Sequence, residues 1–370
     1  MGFATLYEGR QPQPVRTIFD GRRWMSVRPA VSASSSADGP GVSTSTLPAP
    51  RKKVTIRHLQ QLRDMGTPIT MLTAYDYPTA RALDSHGVDI ALVGDSLAQV
   101  CLGLPSTTLL TLDEMLHHCR AVARGCTYPF LVADMPFGSY HTSVEAAAAN
   151  AIRMVQEGRV EAVKLEGGAE ITEIVSRLTT IGVPVMGHVG LLPQRHVSLS
   201  GYRVQGQKAA GALGVLRAAQ SLQSAGAFAL VLEAVPHRLA EYITARLAIP
   251  TIGIGAGPRT SGQVLVWDDA MSRWHGRKAK FVRRFADVGG TEAAGVNEYV
   301  AAVRDGSFPD PVEEGYSISE EEWERFLDEA GDRGWRGPSR ETSATVASEA
   351  RKAHVPEGVL PLGKLVRAHS

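Results

Sequence analysis

Short apolar runs alternate with segments of helical periodicity between about residues 54 and 270. Seven of the runs are clear, and they read PITMLTAYD, IALVGDS, PFLVADMPF, AVKLEGG, VPVMGHVGL, FALVLEAVP and PTIGIGAG. An eighth, weaker run, QVLVWDD, occupies residues 263–269. Strands that alternate with helices in this way predict a parallel sheet, because a parallel pair of strands needs a long crossover connection.

Eight βα units are the number that closes a barrel. A typical barrel of this kind takes ~250 residues, which fits the stretch from residue 54 to about 300. The competing fold, an open doubly wound sheet, would place a glycine-rich phosphate-binding turn after the first strand. The segment at that position, LTAYDYPTA, contains no glycine. The pattern therefore predicts an α/β fold of the (β/α)8 TIM barrel type.

Two of the helical segments carry the pattern of a capping box. TLDEMLHHCRAVARG begins with Thr111 and Glu114, and TSVEAAAANAIRMVQEG begins with Thr142 and Glu145. In a capping box the hydroxyl and the carboxylate three residues later each accept a backbone N–H of the first turn. Both segments are therefore predicted to start as helices at these threonines.

Composition divides the chain into three parts. Residues 1–52 are arginine- and serine-rich, include VSASSSADGPGVSTST, and contain few acids, which predicts a disordered leader of the transit-peptide type. We therefore predict a mitochondrial location, or a cytoplasmic one if the leader is a disordered tail that carries no targeting signal. Residues 53–316 form the predicted barrel. Residues 317–370 begin with ISEEEWERFLDEAG, an acidic amphipathic helix, and continue as a largely disordered extension.

Overall charge and cysteine content exclude some partners. The formal net charge is +1, so neither nucleic acid nor an anionic membrane surface is expected as a partner. No apolar run reaches the ~20 residues of a membrane span. Three cysteines without metal-ligand spacing, Cys101, Cys119 and Cys126, indicate a reducing compartment and a role as small apolar residues.

Polar residues stand late in the predicted strands. In AVKLEGG the side chains of Lys164 and Glu166 share one face of the strand, because strand side chains alternate with period two. The other strands end in a similar way, with Asp95 and Ser96, Asp134, His188 and Glu233. In a parallel barrel all these ends lie at the rim where barrel enzymes keep their active sites.

The charges at this rim do not balance. Asp95, Asp134, Glu166 and Glu233 are four carboxylates, and Lys164 is the chief cation opposing them. All-oxygen ligands favour Mg²⁺ over zinc, and an octahedral ion has room for a chelating 2-oxo acid. Simpler explanations stay open: a single acid can be a helix cap or an ion-pair partner. Lys164 and Glu166 can pair with each other, and His188 can be a core histidine.

Two glycine-containing segments also stand after predicted strands. IGIGAG, residues 252–257, is a weak motif that fits either phosphate binding through backbone N–H groups or close packing of the backbone. GYRVQG, residues 201–206, lies in a longer loop after the fifth strand and is typical of a lid or substrate loop.

Nine of these segments together resemble the 3-methyl-2-oxobutanoate hydroxymethyltransferase (ketopantoate hydroxymethyltransferase) family. They are TAYDYPTA, LVGDSLA, STTLLTLDEML, LVADMPFGSY, VKLEGG, PVMGHVGLLPQ, SGYRVQG, LVLEAVP and IPTIGIGAG. They occur in the order and at the spacing of the family over about residues 54–316. The stretch MSRWHGRKAKFVRR, which follows QVLVWDDA, departs from the family pattern and puts the eighth unit in doubt.

The resemblance implies a (β/α)8 enzyme that transfers a one-carbon unit from 5,10-methylenetetrahydrofolate to 3-methyl-2-oxobutanoate. The product is 2-dehydropantoate, on the route to pantothenate and coenzyme A. By position, the implied Mg²⁺ ligands are Asp95, Asp134 and Glu166, and the implied proton acceptor is Glu233. The implied substrate contacts are Asp95, Ser96, Asp134, Lys164 and His188. The family also implies a homo-oligomer, commonly a decamer.

Two other functions compete with this interpretation. One is a Mg²⁺-dependent lyase or mutase of the phosphoenolpyruvate type, which would use a catalytic cysteine or phosphate-binding arginines. The other is a barrel that has lost activity and serves as a scaffold. The five charged residues at the strand ends argue against the scaffold, because a buried charge without a function is unfavourable.

Overall fold

A computed structural model describes residues 51–336 of the chain, except 275 and 277. Its eight strands close into one barrel in the order of the sequence, and every neighbouring pair is parallel. The strands are β1 Ile69–Thr73, β2 Ile90–Val93, β3 Phe130–Asp134, β4 Ala162–Glu166, β5 Val185–Gly190, β6 Ala229–Glu233, β7 Thr251–Ile254 and β8 Gly262–Leu265. The predicted (β/α)8 barrel is confirmed.

Helices precede, connect and follow the strands. Within the described residues they are α1 Ile56–Asp64, α2 Tyr77–Ser85, α3 Leu97–Val100, α4 Leu112–Gly125, α5 Val144–Gln156, α6 Thr172–Thr180, α7 Ala209–Ser224, α8 His237–Arg246, α9 Trp267–Ala270, α10 Val288–Asp305 and α11 Glu320–Glu329. None of these helices is both long enough and apolar enough to span a bilayer.

The barrel interior changes from apolar to polar along the barrel axis. Towards the N-terminal ends of the strands it is filled by apolar side chains, including Met71, Ile90, Val132 and Met186, and α1 packs against this cluster. Outside the barrel, a second apolar cluster lies between the strands and the helices. The charged side chains of Asp134, Lys164 and Glu166 face the interior nearer the C-terminal ends of the strands, so the apolar core supports a polar site at that rim.

Strand β4 shows how this arrangement follows from the sequence. Ala162 belongs to the interior cluster, whereas Val163 and Leu165 belong to the outer one. Because side chains alternate along a strand, Lys164 and Glu166 face the interior with Ala162. Both are buried, at 6% and 2% exposure. The two charges therefore interrupt the apolar run because they face the interior at successive levels above Ala162, towards the C-terminal end of the barrel.

Local details confirm one capping box and correct another. Thr111 and Glu114 form the predicted box at the start of α4. The box predicted at Thr142 is wrong, because Ser143 caps α5 through the N–H of Ala146. A serine hydroxyl accepts this bond as well as a threonine hydroxyl does.

The eighth strand is shorter than the predicted run of residues 263–269. It ends at Leu265, and the helical turn α9 follows directly. The N–H of Trp267 donates to the side-chain hydroxyl of Thr73 on the neighbouring strand β1 at 2.8 Å and not to a backbone carbonyl, which ends the ladder. Even so, β8 pairs with both β1 and β7, so the departure of residues 271–284 from the family pattern does not open the barrel.

The two ends of the chain are only partly described. Helix α11 lies within the segment interpreted as an acidic helix, and α10 was not predicted. Residues 1–50 and 337–370 lie outside the described residues. The leader, its mitochondrial address and most of the C-terminal extension therefore stay predictions.

One buried acid outside the rim joins α2 to the chain before β3. Asp84 is 4% exposed and accepts hydrogen bonds from the backbone N–H groups of Thr127 and Tyr128 at 2.7 and 2.8 Å. We expect Asp84→Ala to lower the free energy of unfolding by about 3 kcal/mol, because two charge-assisted bonds are lost. Urea denaturation measures this change. Asp64→Ala removes an exposed acid and should cost less than about 0.5 kcal/mol; equal losses would contradict the assignment.

Candidate active site

The predicted site residues meet at the C-terminal rim of the barrel. Asp134, Glu166 and Glu233 are the last residues of β3, β4 and β6, Lys164 and His188 lie within β4 and β5, and Asp95 and Ser96 follow β2. Asp95, Asp134, Lys164, Glu166 and His188 are each no more than 6% exposed. The side chain of Glu233 is 15% exposed. The structure thus brings all seven predicted residues to one end of the barrel.

Lys164 pairs with Asp134 and not with Glu166, its neighbour on the same strand face. Its Nζ lies 2.9 Å from Asp134 Oδ1, while Asp134 Oδ2 accepts the backbone N–H of Asp95 at 3.0 Å. Burial alone would lower the pKa of the Lys164 ammonium. The carboxylates of Asp134, Glu166 and Asp95 outweigh burial and hold this pKa above its ordinary value, so the lysine stays charged.

His188 stands between this ion pair and Glu233. Its Nδ1 is 3.1 Å from Lys164 Nζ, and its Nε2 is 3.3 Å from Glu233 Oε2. Burial and the Lys164 charge lower the pKa of His188 well below its ordinary value, so the ring is neutral. Because the ammonium can only donate, Nδ1 accepts and Nε2 carries the proton. That N–H points towards Glu233 without the alignment of a full hydrogen bond.

A strained turn positions Glu233. The next residue, Ala234, has φ 45°, a left-handed conformation that residues with a side chain seldom adopt. The N–H of Ala234 donates to the Ile254 carbonyl at 2.8 Å, and its carbonyl accepts the N–H of Gln205 at 2.9 Å. These two bonds hold the turn, so the carboxylate is fixed at the end of β6. Such strain is frequent at functional sites.

Burial and neighbouring negative charges raise the pKa values of the other carboxylates at the rim. Burial, then the neighbouring charge of Asp134, raises the pKa of Asp95 to about 7, against the opposing effect of Lys164. Burial and Asp95 raise the pKa of Glu166 well above its ordinary value. Burial raises the pKa of Glu233 to about 7. One ammonium therefore does not neutralise the rim, which is the imbalance predicted from the sequence.

Three uncharged residues complete the site and were not predicted. The amide of Gln194 donates to Asp95 Oδ2 at 2.9 Å, and the Tyr140 hydroxyl donates to Gln194 Oε1 at 2.7 Å. The Tyr75 hydroxyl lies 2.8 Å from the Ser96 hydroxyl. Their segments, PVMGHVGLLPQ, LVADMPFGSY and TAYDYPTA, are all among those that resemble the family, which is the one signal that could have identified them.

The two glycine-containing segments differ in their relation to the site. In IGIGAG, a Cβ at Gly257 would lie 2.4 Å from His237 Cβ, and one at Gly255 would lie 2.8 Å from Phe281. Close packing within the chain therefore accounts for these glycines. In GYRVQG, Tyr202 is close enough for Asp95, Glu233 and Glu166 to raise the pKa of its phenol, together with the larger effect of burial. The second loop thus lies beside the rim, as expected of a substrate loop.

The donor chemistry of the rim fits a hard divalent cation. Buried carboxylate oxygens exceed buried positive charge, and Asp134 Oδ1 has no aligned hydrogen-bond donor besides the ion-pair contact of Lys164. In their present arrangement, no group of three or more His, Cys, Asp or Glu side chains in residues 51–336, where described, is set to hold a metal. The carboxylates are turned towards Lys164, Gln194 and backbone N–H groups instead.

Comparison with known proteins agrees with the resemblance found in the sequence. The family described as ketopantoate hydroxymethyltransferase matches residues 53–311. A 3-methyl-2-oxobutanoate hydroxymethyltransferase of Emericella nidulans is 48% identical over 279 residues, which cover 75% of this chain and 80% of that protein. The enzyme of the same name from Pelobacter propionicus is 50% identical over 259 residues, 70% of this chain and 96% of the relative.

A solved structure of phosphonopyruvate hydrolase with oxalate and Mg²⁺ covers 81% of this chain and 100% of its own, with a TM-score of 0.48 and 14% identity. With so low a sequence identity, this structure carries no information about the activity of the chain. The family match and the two relatives do, because the family model covers residues 53–311 and the relatives are 48% and 50% identical over 75% and 70% of the chain. The chain belongs to the ketopantoate hydroxymethyltransferase family and is a transferase of that class.

Proposed function

We propose that the protein transfers a hydroxymethyl group from 5,10-methylenetetrahydrofolate to 3-methyl-2-oxobutanoate, giving 2-dehydropantoate for the synthesis of pantothenate and coenzyme A. The observation that carries the proposal is the convergence of Asp95, Asp134, Lys164, Glu166 and Glu233 at one rim, in a chain of this family. The net reaction consumes one water, whose oxygen becomes the hydroxyl oxygen of the product.

Asp95, Asp134 and Glu166 are the proposed ligands of Mg²⁺. When bound, this ion would take the carboxylate and keto oxygens of the 2-oxo acid and stabilise the negative charge of its enolate. Lys164 adds a second positive charge at the same place and needs no proton transfer to do so, since its pKa is raised. Asp134, which contacts the Lys164 ammonium, links these two sources of positive charge.

Glu233 is the proposed base that removes the proton from C3 of the 2-oxo acid. Its pKa is raised to about 7, mainly by burial, so it is a stronger base than an ordinary glutamate. The Nε2 atom of neutral His188 lies 3.3 Å from Glu233 Oε2, so its N–H is directed towards one oxygen of the carboxylate. The other oxygen is left for the substrate.

Substrate positioning falls to the polar residues around the acids. Ser96 follows Asp95 directly, and the Tyr75 hydroxyl fixes its side chain at 2.8 Å. We propose that Ser96 holds the carboxylate end of the 2-oxo acid next to Lys164, and that His188 contacts the substrate beside Glu233. The GYRVQG loop then covers the bound substrates. Holding two reactants in one geometry supplies a large part of the acceleration in such reactions.

The lyase or mutase alternative lacks its nucleophile. Partial burial, and then the charges of Asp268 and Asp76, raise the pKa of the Cys101 thiol to about 12, so the thiol is not ionised near neutral pH. This observation supports the transferase over a cysteine-dependent reaction.

The direct test is formation of 2-dehydropantoate from both substrates by the purified full chain. Mass spectrometry should detect product with Mg²⁺, and removal of the ion with EDTA should lower the rate at least about 100-fold, restored by added Mg²⁺. Reactions without the folate or without the 2-oxo acid are the controls. Absence of product with both substrates and Mg²⁺ would refute the proposed function.

A further inference from the structure

Gln194 occupies a position between two of the proposed metal ligands. It lies in the short 3-10 turn Pro193–Arg195 that follows β5, and it is 4% exposed. Its side-chain Nε2 donates to Asp95 Oδ2 at 2.9 Å, and its backbone N–H donates to Glu166 Oε2 at 3.0 Å. A single buried residue thus binds one oxygen of each carboxylate.

The orientation of the Gln194 amide is fixed by its other partners. Its Nε2 also donates to the Met135 carbonyl at 3.0 Å, and a carbonyl can only accept. Its Oε1 accepts from the Tyr140 hydroxyl at 2.7 Å. A flipped amide would place Oε1 against both the Met135 carbonyl and the Asp95 carboxylate. Both N–H groups are therefore in use, and the amide oxygen accepts a hydrogen bond from the Tyr140 hydroxyl.

A carboxylate with one oxygen already bonded to a fixed donor offers its other oxygen to a cation. Mg²⁺ requires a nearly ideal octahedron, whereas the larger Ca²⁺ accepts more oxygens and often takes both from one carboxylate. Residues that hydrogen-bond to metal ligands set the orientation of those ligands, and their loss lowers metal affinity by roughly 10- to 100-fold.

We propose that Gln194 is a positioning residue whose side-chain amide makes Asp95 a single-oxygen donor, beside Glu166 held by its backbone N–H, and thereby makes the rim selective for Mg²⁺ over Ca²⁺. This inference rests on the proposed function, because it assumes a divalent cation at the rim. Tyr140 acts through Gln194, since its hydroxyl holds the amide in the required orientation. The role does not require Gln194 to contact the substrates.

The test is the ratio of Mg²⁺ to Ca²⁺ affinity of the metal-free full chain, measured without turnover. Each cation displaces Mn²⁺, whose free concentration is followed by electron paramagnetic resonance, with and without 3-methyl-2-oxobutanoate. Gln194→Met keeps the side-chain volume and removes the bond to Asp95. We expect its Mg²⁺ affinity to fall at least about 10-fold, its Ca²⁺ affinity to change less than about threefold, and the selectivity ratio to fall accordingly.

Tyr140→Phe is the second variant, because it leaves Gln194 in place and removes only the hydroxyl that orients it. Its selectivity ratio should fall by a smaller factor, about threefold. A wild-type ratio in a folded Gln194→Met protein would overturn the positioning role and leave the proposed function intact. If Gln194→Met does not fold, a wild-type ratio in Tyr140→Phe would overturn it. A wild-type protein that binds none of the three cations would remove the metal site and this inference together.

Discussion

Glu233→Gln is expected to lower kcat by about 10³-fold or more while leaving the affinity for 3-methyl-2-oxobutanoate within about threefold. The amide keeps the shape of the side chain and can still face His188 Nε2, which lies 3.3 Å from Glu233 Oε2. It cannot accept the C3 proton. Steady-state kinetics give kcat, and titration calorimetry gives the affinity for the 2-oxo acid in the absence of the folate.

The pH dependence separates loss of a base from general damage. Because burial raises the pKa of Glu233 to about 7, a large share of this residue is protonated below that pH and cannot act as a base. We therefore expect kcat/KM of the wild-type enzyme to rise with pH up to about 7 and to level off above it. The residual rate of Glu233→Gln should lack the part of this rise that Glu233 causes and keep only the part that comes from Asp95, whose pKa is also raised to about 7.

Glu170→Gln is the matched control for the same change of side chain. Glu170 lies in the turn after β4, is half-exposed, and pairs with Arg195 and not with the site. Its kcat should stay within about threefold of the wild-type value, because exposed ion pairs contribute little. Wild-type turnover in Glu233→Gln would take the base role away from Glu233.

The charged residues of the site could be predicted because one geometric rule applies to every strand of a parallel barrel. In a parallel barrel the C-terminal ends of all strands lie at one rim, and alternate residues face the interior. Lys164 and Glu166 share a face by period two, and both enter the interior above Ala162. The sequence of residues 162–166 was therefore enough to predict that Lys164 and Glu166 face the barrel interior. The other acids were predicted from their positions at the ends of the strands.

Pairing inside the rim could not be predicted in the same way. Lys164 could have paired with Glu166, two residues along its own strand, yet it contacts Asp134 on β3. The choice depends on strand register, which places Asp134 opposite Lys164 and Glu166 opposite His188. In a closed barrel the register of each pair is linked to the stagger of all the strands, so the sequence of β4 alone does not determine it.

Uncharged residues escaped prediction for a different reason. Gln194 follows β5 in a short 3-10 turn and Tyr140 follows β3 in a loop, where neither period two nor charge marks a residue as inward-facing. Their importance comes from hydrogen bonds between segments more than 50 positions apart. The end of β8 was predicted too late in the chain. The N–H of Trp267 donates to the hydroxyl of Thr73, which is distant in the sequence, and this bond could not be foreseen from the local sequence.

Lys164→Met is expected to damage both stability and turnover, with a fall in kcat/KM of about 10³-fold or more. Methionine keeps most of the length of the side chain but leaves the buried carboxylates without their ammonium. Removing one partner of a buried ion pair typically costs about 3–5 kcal/mol. Urea denaturation of the metal-free protein measures the free energy of unfolding, and steady-state kinetics measure the loss of activity.

The stability loss of Lys164→Met should depend on pH in a defined direction. Lys164 itself does not titrate between pH 5 and 8, because its pKa is raised. The raised pKa of Asp95, about 7, means that this carboxyl is protonated at pH 5 and charged at pH 8. Repulsion among the acids is therefore weaker at low pH, and the loss of stability should shrink as pH falls from 8 to 5.

A second substitution distinguishes charge pairing from loss of shape. If the cost of Lys164→Met arises from the unpaired Asp134 carboxylate 2.9 Å away, then adding Asp134→Asn should recover part of the stability and none of the activity. Lys53→Met, which breaks an ion pair with the half-exposed Glu161, is the surface control and should cost about 1 kcal/mol or less. Additive losses in the double variant, or a loss independent of pH, would mean that Lys164 contributes by packing. The charge balance at the rim would then have to be explained without it.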